Sequence, residues 1–272
     1  MNISRSGYYN WLKTKDILNR YEINRKDLGK LIIQIHNKKP SYGYHRIRKI
    51  IVDETGWIVS DNLVHKVCKS LNIKSKAKHY KYKKPGKESI KYENIIGYNW
   101  KTTRPFEKIV SDTTSFWFKR KKYDWTFYLD VFNNEIVGSD VRETMYGNGM
   151  LNHNKAVEDM LNNKIKRGYK DLETIVHTDQ GIIYSSVSFN NMFNSYKVTR
   201  SMSRAGTPTD NPVIESKNGW IKKEMYIDFD INNYNTVQEF IDDIIWDNNN
   251  YRPSYALQYK NPVEYRTQLG FK

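Results

Sequence analysis

The chain has 272 residues, 45 Lys and Arg against 30 Asp and Glu, and a formal net charge of +15. The excess is lopsided: residues 1–100 carry 22 basic and 8 acidic side chains (+14), and residues 101–272 carry 23 and 22 (+1). Cys68 is the only cysteine, which excludes internal disulfides and a cysteine-rich zinc module.

A length of this kind holds one large domain or two moderate ones. A near-neutral body behind a basic front third calls for a polyanionic partner, nucleic acid above all. No apolar run reaches the roughly 18 residues of a membrane span, and Met1–Gly7 lacks a signal-peptide core. The expectation is a soluble, cytoplasmic protein with no membrane association.

From the N-terminus, Ser6-Gly7-Tyr8-Tyr9-Asn10-Trp11-Leu12 reads as an aromatic turn. Leu28, Leu31, Ile32 and Ile35 recur at helical spacing, and Pro40 ends that helix. A basic helix with Ile47, Ile50 and Ile51 inward leaves Arg46, Arg48 and Lys49 outside. Ser60 is a good N-cap for a third helix with Leu63, Val64, Val67 and Leu71 inward. Three short helices with a basic last member predict an all-α helix-turn-helix, with Arg46, His65, Lys66 and Lys69 as candidate DNA contacts. The run from Lys74 to Lys91, with Tyr80, Tyr82 and Tyr92 interleaved or adjoining, reads as an extended linker along phosphates. The boundaries so placed are 1–97 for the basic region and linker, 98–230 for a core, and 231–272 for a helical extension.

Past Trp100 the pattern turns to strands: 106–112, 125–131 and one starting at 135 after a turn at Asn133-Asn134. A helix over 149–163, a strand over 174–178, a short helix near 188–195 and a strand over 197–200 follow. The order β-β-β-α-β-α-β-α predicts an α/β, ribonuclease-H-like core. Val237, Phe240, Ile241, Ile244 and Ile245 then form a helical stripe suited to a core or a subunit contact, and Trp246 and Tyr251 are expected to pack there too.

Asp112 and Asp179 each close an apolar strand run, and Glu215 falls near the start of a helix announced by Asp210-Asn211-Pro212, with Asn211 as N-cap. Between Asp179 and Glu215 lie 35 residues, and Lys222 follows the glutamate by seven, two helical turns on the same face. Singly, each acid reads as an ordinary turn or cap residue. Jointly they can hold two magnesium or manganese ions through hard oxygen ligands, the requirement of metal-assisted phosphoryl transfer on DNA.

The motifs Ser111-Asp112-Thr113-Thr114, His177-Thr178-Asp179-Gln180-Gly181, Ser201-Met202-Ser203-Arg204-Ala205-Gly206 and Asp210-Asn211-Pro212-Val213-Ile214-Glu215-Ser216 together resemble the insertion-sequence-three transposases of the OrfB type. These are relatives of retroviral integrases. Ser4–Tyr9, Tyr42–Ile47, Asn249-Asn250-Tyr251-Arg252-Pro253 and Asn261–Tyr265 extend the resemblance nearly end to end. It implies an integrase catalytic core, with Asp112, Asp179 and Glu215 as catalytic metal ligands and Lys222 as a DNA contact. His177, Gln180 and Ser203 are placed as loop-shaping residues. Thr207-Pro208-Thr209 depart from the pattern, as does Ser254 where histidine is expected.

The same resemblance implies terminal-repeat and target DNA as partners, assembly as a homo-oligomer on DNA, and an upstream OrfA-type protein as partner or fusion. The function expected is a transposase that cuts and joins element ends. Two alternatives stay open: a non-catalytic DNA-binding regulator, and a ribonuclease-H-like nuclease.

Overall fold

The computed structural model describes residues 4–15, 19–77, 93–144, 154–179, 184, 189, 191–204 and 207–272. Tyr80, Tyr82, Tyr92, Gln180, Gly181, most of the 74–91 basic run and the start of the helix expected from 149 lie outside them. The chain divides into two compact units, Met1–Ala77 and Lys78–Lys272.

The first unit is helical: α1 (Arg5–Thr14), α2 (Arg20–Lys38), α3 (Tyr44–Thr55) and α4 (Asp61–Ser70). The segment read as an aromatic turn is α1. Ser4 accepts a hydrogen bond from the Gly7 amide, which starts a helix the short window concealed. A reciprocal capping box between Asn19 and Glu22 opens α2. Gly56, at φ +67°, closes α3 in the left-handed conformation that glycine adopts without strain. Ser60 caps α4, as expected, through the Leu63 amide. Leu28, Ile32, Ile47, Ile51 and Val64 form the buried centre of the three-helix packing, whereas Leu71, expected inside, is 39% exposed.

In the second unit five strands form one sheet in the order β3-β2-β1-β4-β5. They are β1 (Lys108–Phe118), β2 (Lys121–Asp130), β3 (Ile136–Glu143), β4 (Thr174–Thr178) and β5 (Val198–Met202), with α5 (Asn154–Lys166) between β3 and β4. β1, β2 and β3 pair antiparallel, while β4 joins β1 and β5 in parallel. This is the ribonuclease-H-like arrangement that the strand order predicts. Three further helices are α6 (Pro212–Glu224), α7 (Val237–Asn250) and α8 (Pro262–Gln268).

The sheet is covered on both faces. Ile109, Tyr128, Val137 and Val176 pack with Ala156, Val157, Met160 and Leu161 of α5. Val110, Phe116, Trp125, Phe127 and Leu129 pack with Ile214 and Ile221 of α6 and Phe240, Ile241 and Ile244 of α7. The stripe on α7 is therefore core. Trp246 is not part of it: it is 58% exposed, because its position falls on the opposite side of the helix. Gly138 lets α5 approach β3, since an added Cβ would lie 2.2 Å from the Ala156 carbonyl oxygen.

Two further sequence expectations need correcting. β1 does not end at Asp112 but continues through β-prone Thr113–Phe118 to a two-residue hairpin. Residues 93–96, expected in the linker, lie along β5: the Glu93 carbonyl accepts from the Met202 amide, and the Ile95 amide donates to Ser201 Oγ.

The C-terminal residues are tied in by a buried charge cluster. Glu135 accepts from both terminal nitrogens of Arg167 (2.6 and 2.8 Å) and from Arg266 Nε (3.0 Å). The guanidinium groups hold its carboxyl below the usual glutamate range against the opposing effect of burial. Glu135→Gln would leave two poorly solvated guanidinium groups without their anion. A loss of about 3 kcal/mol is expected, read as a lowered midpoint in urea unfolding.

Candidate active site

Asp112 lies in mid-strand on β1, just past the last residue that pairs with β4. The parallel register sets Val110 opposite His177. Carried two residues further, it brings Asp112 level with Asp179, the first residue after β4. On the other side runs α6, whose first turn carries Glu215 and whose last turn carries Lys222.

The Asp112 carboxylate is held at both oxygens. Oδ1 accepts from the Thr113 amide at 2.8 Å, and Oδ2 accepts from Nδ2 of Asn218 at 2.7 Å. Burial pushes its pKa up to about 6, and the negative charge of Asp179 adds to the shift; the Thr113 amide, the Lys222 ammonium and Asn218 oppose it. Glu215 is raised as well, first by burial and then by the charge of Asp112. Asp112 thus feels Asp179 and Lys222 and in turn acts on Glu215, so the four residues singled out in sequence come together in one electrostatic neighbourhood.

Among the described residues no three His, Cys, Asp or Glu side chains are gathered closely enough to chelate an ion as they stand. The donor chemistry nevertheless fits a hard divalent cation: three carboxylates, two of them raised in part by another's charge, form a site whose repulsion such an ion would relieve.

Asn218 escaped the sequence reading. It is buried, lies one turn beyond Glu215 on the same face of α6, and its Oδ1 is buried without a hydrogen-bond partner. The only signal was its i+3 spacing from Glu215, and an asparagine at that spacing is common on any helix.

The surrounding motifs position these elements. Arg204 donates to Asp210 from its backbone amide (2.9 Å), Nε (2.8 Å) and Nη2 (2.9 Å), clamping the loop that leads from β5 into α6. That guanidinium holds Asp210 down to about 2. Asn211 occupies the N-cap position as expected, but its side chain makes no cap hydrogen bond; Pro212 follows at the first turn.

His177 is a packing residue. Its Nδ1 and Nε2 pair with Ser201 and Ser203 hydroxyls at 2.8 and 2.9 Å, and burial lowers its pKa to about 4. At the other end of α6, Arg252 grips buried Glu224 through Nε (2.5 Å) and Nη2 (2.8 Å). Asn249 pairs its amide with the Ile136 backbone, both bonds 2.9 Å, as a neighbouring strand would. Within the closing motif, Arg252 therefore braces the helix that carries Glu215, and Asn249 ties the motif to β3.

In the first unit, His65, Lys66 and Lys69 all lie on the exposed side of α4. Arg46 instead sits over the Tyr42 ring, 5.2 Å from its centroid, and the His65 ring lies 4.8 Å from that of Tyr44.

Comparison with known proteins gives two matches to models described as integrase core domain, over residues 102–208 and 196–262, and one to an HTH-like domain over 13–82. The putative transposase InsK of insertion sequence element IS150 from Escherichia coli is 27% identical over 98% of this chain and 90% of its own length. The transposase of IS904 from Lactococcus lactis is 28% identical over 90% and 96%. A solved HTLV-2 integrase catalytic core domain in complex with magnesium overlaps 60% of this chain and 97% of its own at 17% identity and a TM-score of 0.45. With an integrase core over most of its second unit, an HTH-like module before it and transposases matching nearly its whole length, this chain belongs to the insertion-sequence transposases, a family of polynucleotidyl transferases.

Proposed function

We propose that this transposase cuts and joins the DNA ends of its element by phosphoryl transfer dependent on divalent metal, with Asp112, Asp179 and Glu215 as the catalytic triad. The observation that carries this reading is geometric: the β1–β4 register sets Asp112 level with Asp179, and Asn218, on the helix that carries Glu215, donates to Asp112 at 2.7 Å. The three residues would hold Mg2+ or Mn2+, two ions by the chemistry of in-line displacement; when bound, such ions lower the cost of charge on the attacking and leaving oxygens.

The chain's own part is orientation. Thr113 and Asn218 fix the Asp112 carboxylate so that each oxygen keeps a lone pair directed away from its donor. Lys222, exposed on the same face of α6 as Glu215, offers its ammonium to a DNA phosphate. The attacking oxygen is water for cutting and a DNA 3′-hydroxyl for joining.

His65, Lys66 and Lys69 on α4, with Arg46 on α3, supply DNA contacts outside the core, consistent with the +14 charge of residues 1–100. The enzyme would act in the cytoplasm on its terminal repeats and on target DNA, as a homo-oligomer, alone or with an upstream OrfA-type protein. Among the described residues no helix is long and apolar enough to cross a membrane.

The test is joining of a labelled terminal-repeat oligonucleotide with a free 3′-hydroxyl into plasmid DNA, with Mg2+ and with chelator. Metal-dependent joined product is expected. DNA binding without joining, even with the upstream protein added, would replace this reading with that of a regulator. Cleavage of RNA strands in preference to joining would replace it with a nuclease.

A further inference from the structure

The turn between β1 and β2 is built from residues that suit it poorly. Phe118 pairs with Lys121, leaving Lys119 and Arg120 as a two-residue loop with φ +45° and +69°. Such loops favour Asn-Gly, which adopt positive φ at little cost; Lys and Arg do not. Strain of this kind is retained where the side chains serve a purpose.

The charges at this tip are not equivalent. The Lys119 ammonium donates to the Tyr234 carbonyl, and Lys121 pairs with Glu143 at 3.0 Å. Arg120, at the apex, is exposed and has no partner among the described residues. Beside it, Trp117 is 54% exposed and faces Lys122 across the hairpin. The hydroxyl of Tyr226 accepts from the Trp117 amide at 2.8 Å and donates to its carbonyl at 3.1 Å, so this end of β1 is held rigidly. Lys222 and Lys223 lie on the neighbouring last turn of α6. Side chains alternate along β1, so Trp117 and Lys122 stand on the face of the hairpin opposite Asp112, and basic groups lie both beside the Asp112 site and at the hairpin tip.

We infer that Arg120, presented by the strained β1–β2 hairpin, contacts the phosphate backbone of duplex DNA well away from the reacting phosphate. From Asp112 to Lys119, the first residue past β1, the chain covers about 24 Å at the usual strand rise, which matches about seven base pairs of B-DNA. The register of this contact rests on the proposed reading that the reacting phosphate sits at Asp112. The chemistry is that of a phosphodiester, so the duplex is either the element's own end or the target.

The experiment is phosphate-ethylation interference with the full-length protein on a terminal-repeat duplex and, separately, on a joined donor–target duplex. Interference is expected about six to eight phosphates from the reacting position. Its strand assigns the contact to donor or target. In Arg120→Gly it should disappear, affinity should fall about fivefold, and the slope of log affinity against log salt should drop by about one.

Glycine relieves the left-handed backbone, so the variant should melt no lower than wild type. Arg120→Lys should restore the slope. Wild type without interference at those phosphates, or Arg120→Gly with the wild-type pattern and slope, would overturn the assignment. Interference in a protein that joins no DNA would instead count against the proposed reaction and leave the contact standing.

Discussion

Asp112→Asn is expected to lower strand joining by about three orders of magnitude, with DNA binding nearly unchanged. Asparagine keeps the shape and one oxygen but removes the charge that a divalent cation needs. Loss of one preorganised electrostatic contribution typically costs about 100- to 1,000-fold in rate, and a missing metal ligand belongs at the upper end. Glu215→Gln and Asp179→Asn should behave alike, and the double variants should lose little more, because on the proposed reading the three act as one unit. Single-turnover joining at saturating DNA measures this, and retention of a tenth of the wild-type rate by any of the three would remove that residue from the triad.

The same substitution should stabilise the metal-free protein, for a reason visible in the titration of Asp112. Its folded pKa of about 6 lies above the ordinary value of 3.8, so the folded state binds the proton more tightly than the unfolded state does. Stability therefore declines as pH rises through that window and stays lower above it, by about 3 kcal/mol from this group. Glu215, also raised, contributes with the same sign. Asp112→Asn removes the penalty, and its melting temperature without metal should exceed that of wild type at pH 8 but not at pH 4. Added Mg2+ should raise the wild-type melting temperature at pH 8 and have little effect on the variant. Equal melting curves at pH 8 would contradict a strained carboxylate site.

The second large effect is expected at Asn218. Asn218→Leu keeps the volume but removes the donor to Asp112 Oδ2. Groups that orient a metal ligand in this way are typically worth about 10- to 100-fold in metal affinity or activity. Joining should fall by that factor, and the Mg2+ concentration for half-maximal rate should rise. DNA affinity should hold. The lost hydrogen bond favoured the ionised carboxylate, so the acidic limb of the pH–rate profile should move to higher pH. A rate loss with unchanged metal and pH dependence would mean that Asn218 only packs.

The acids, the basic front third and the strand order could be read from the sequence because each depends on local spacing. Asp179 and Glu215 are recognisable by their neighbours in the chain, and Ser60 caps its own helix whatever else the protein does. Other features needed the tertiary structure, since their partners are distant in the chain. Asn218 meets Asp112 across 106 positions, and Asn249 meets Ile136 across 113. No window of sequence contains both members of such a pair. The end of β1 was misplaced for the same reason: Asp112 looks like the close of an apolar run, yet pairing with β2 carries the strand on to Phe118. The sequence thus determined which side chains carry the charge and roughly which elements hold them. Only the packing of α6 against β1 decided how close those charges stand, and with it the raised carboxyl of Asp112, because electrostatic coupling depends on distance and burial in space and not on separation along the chain.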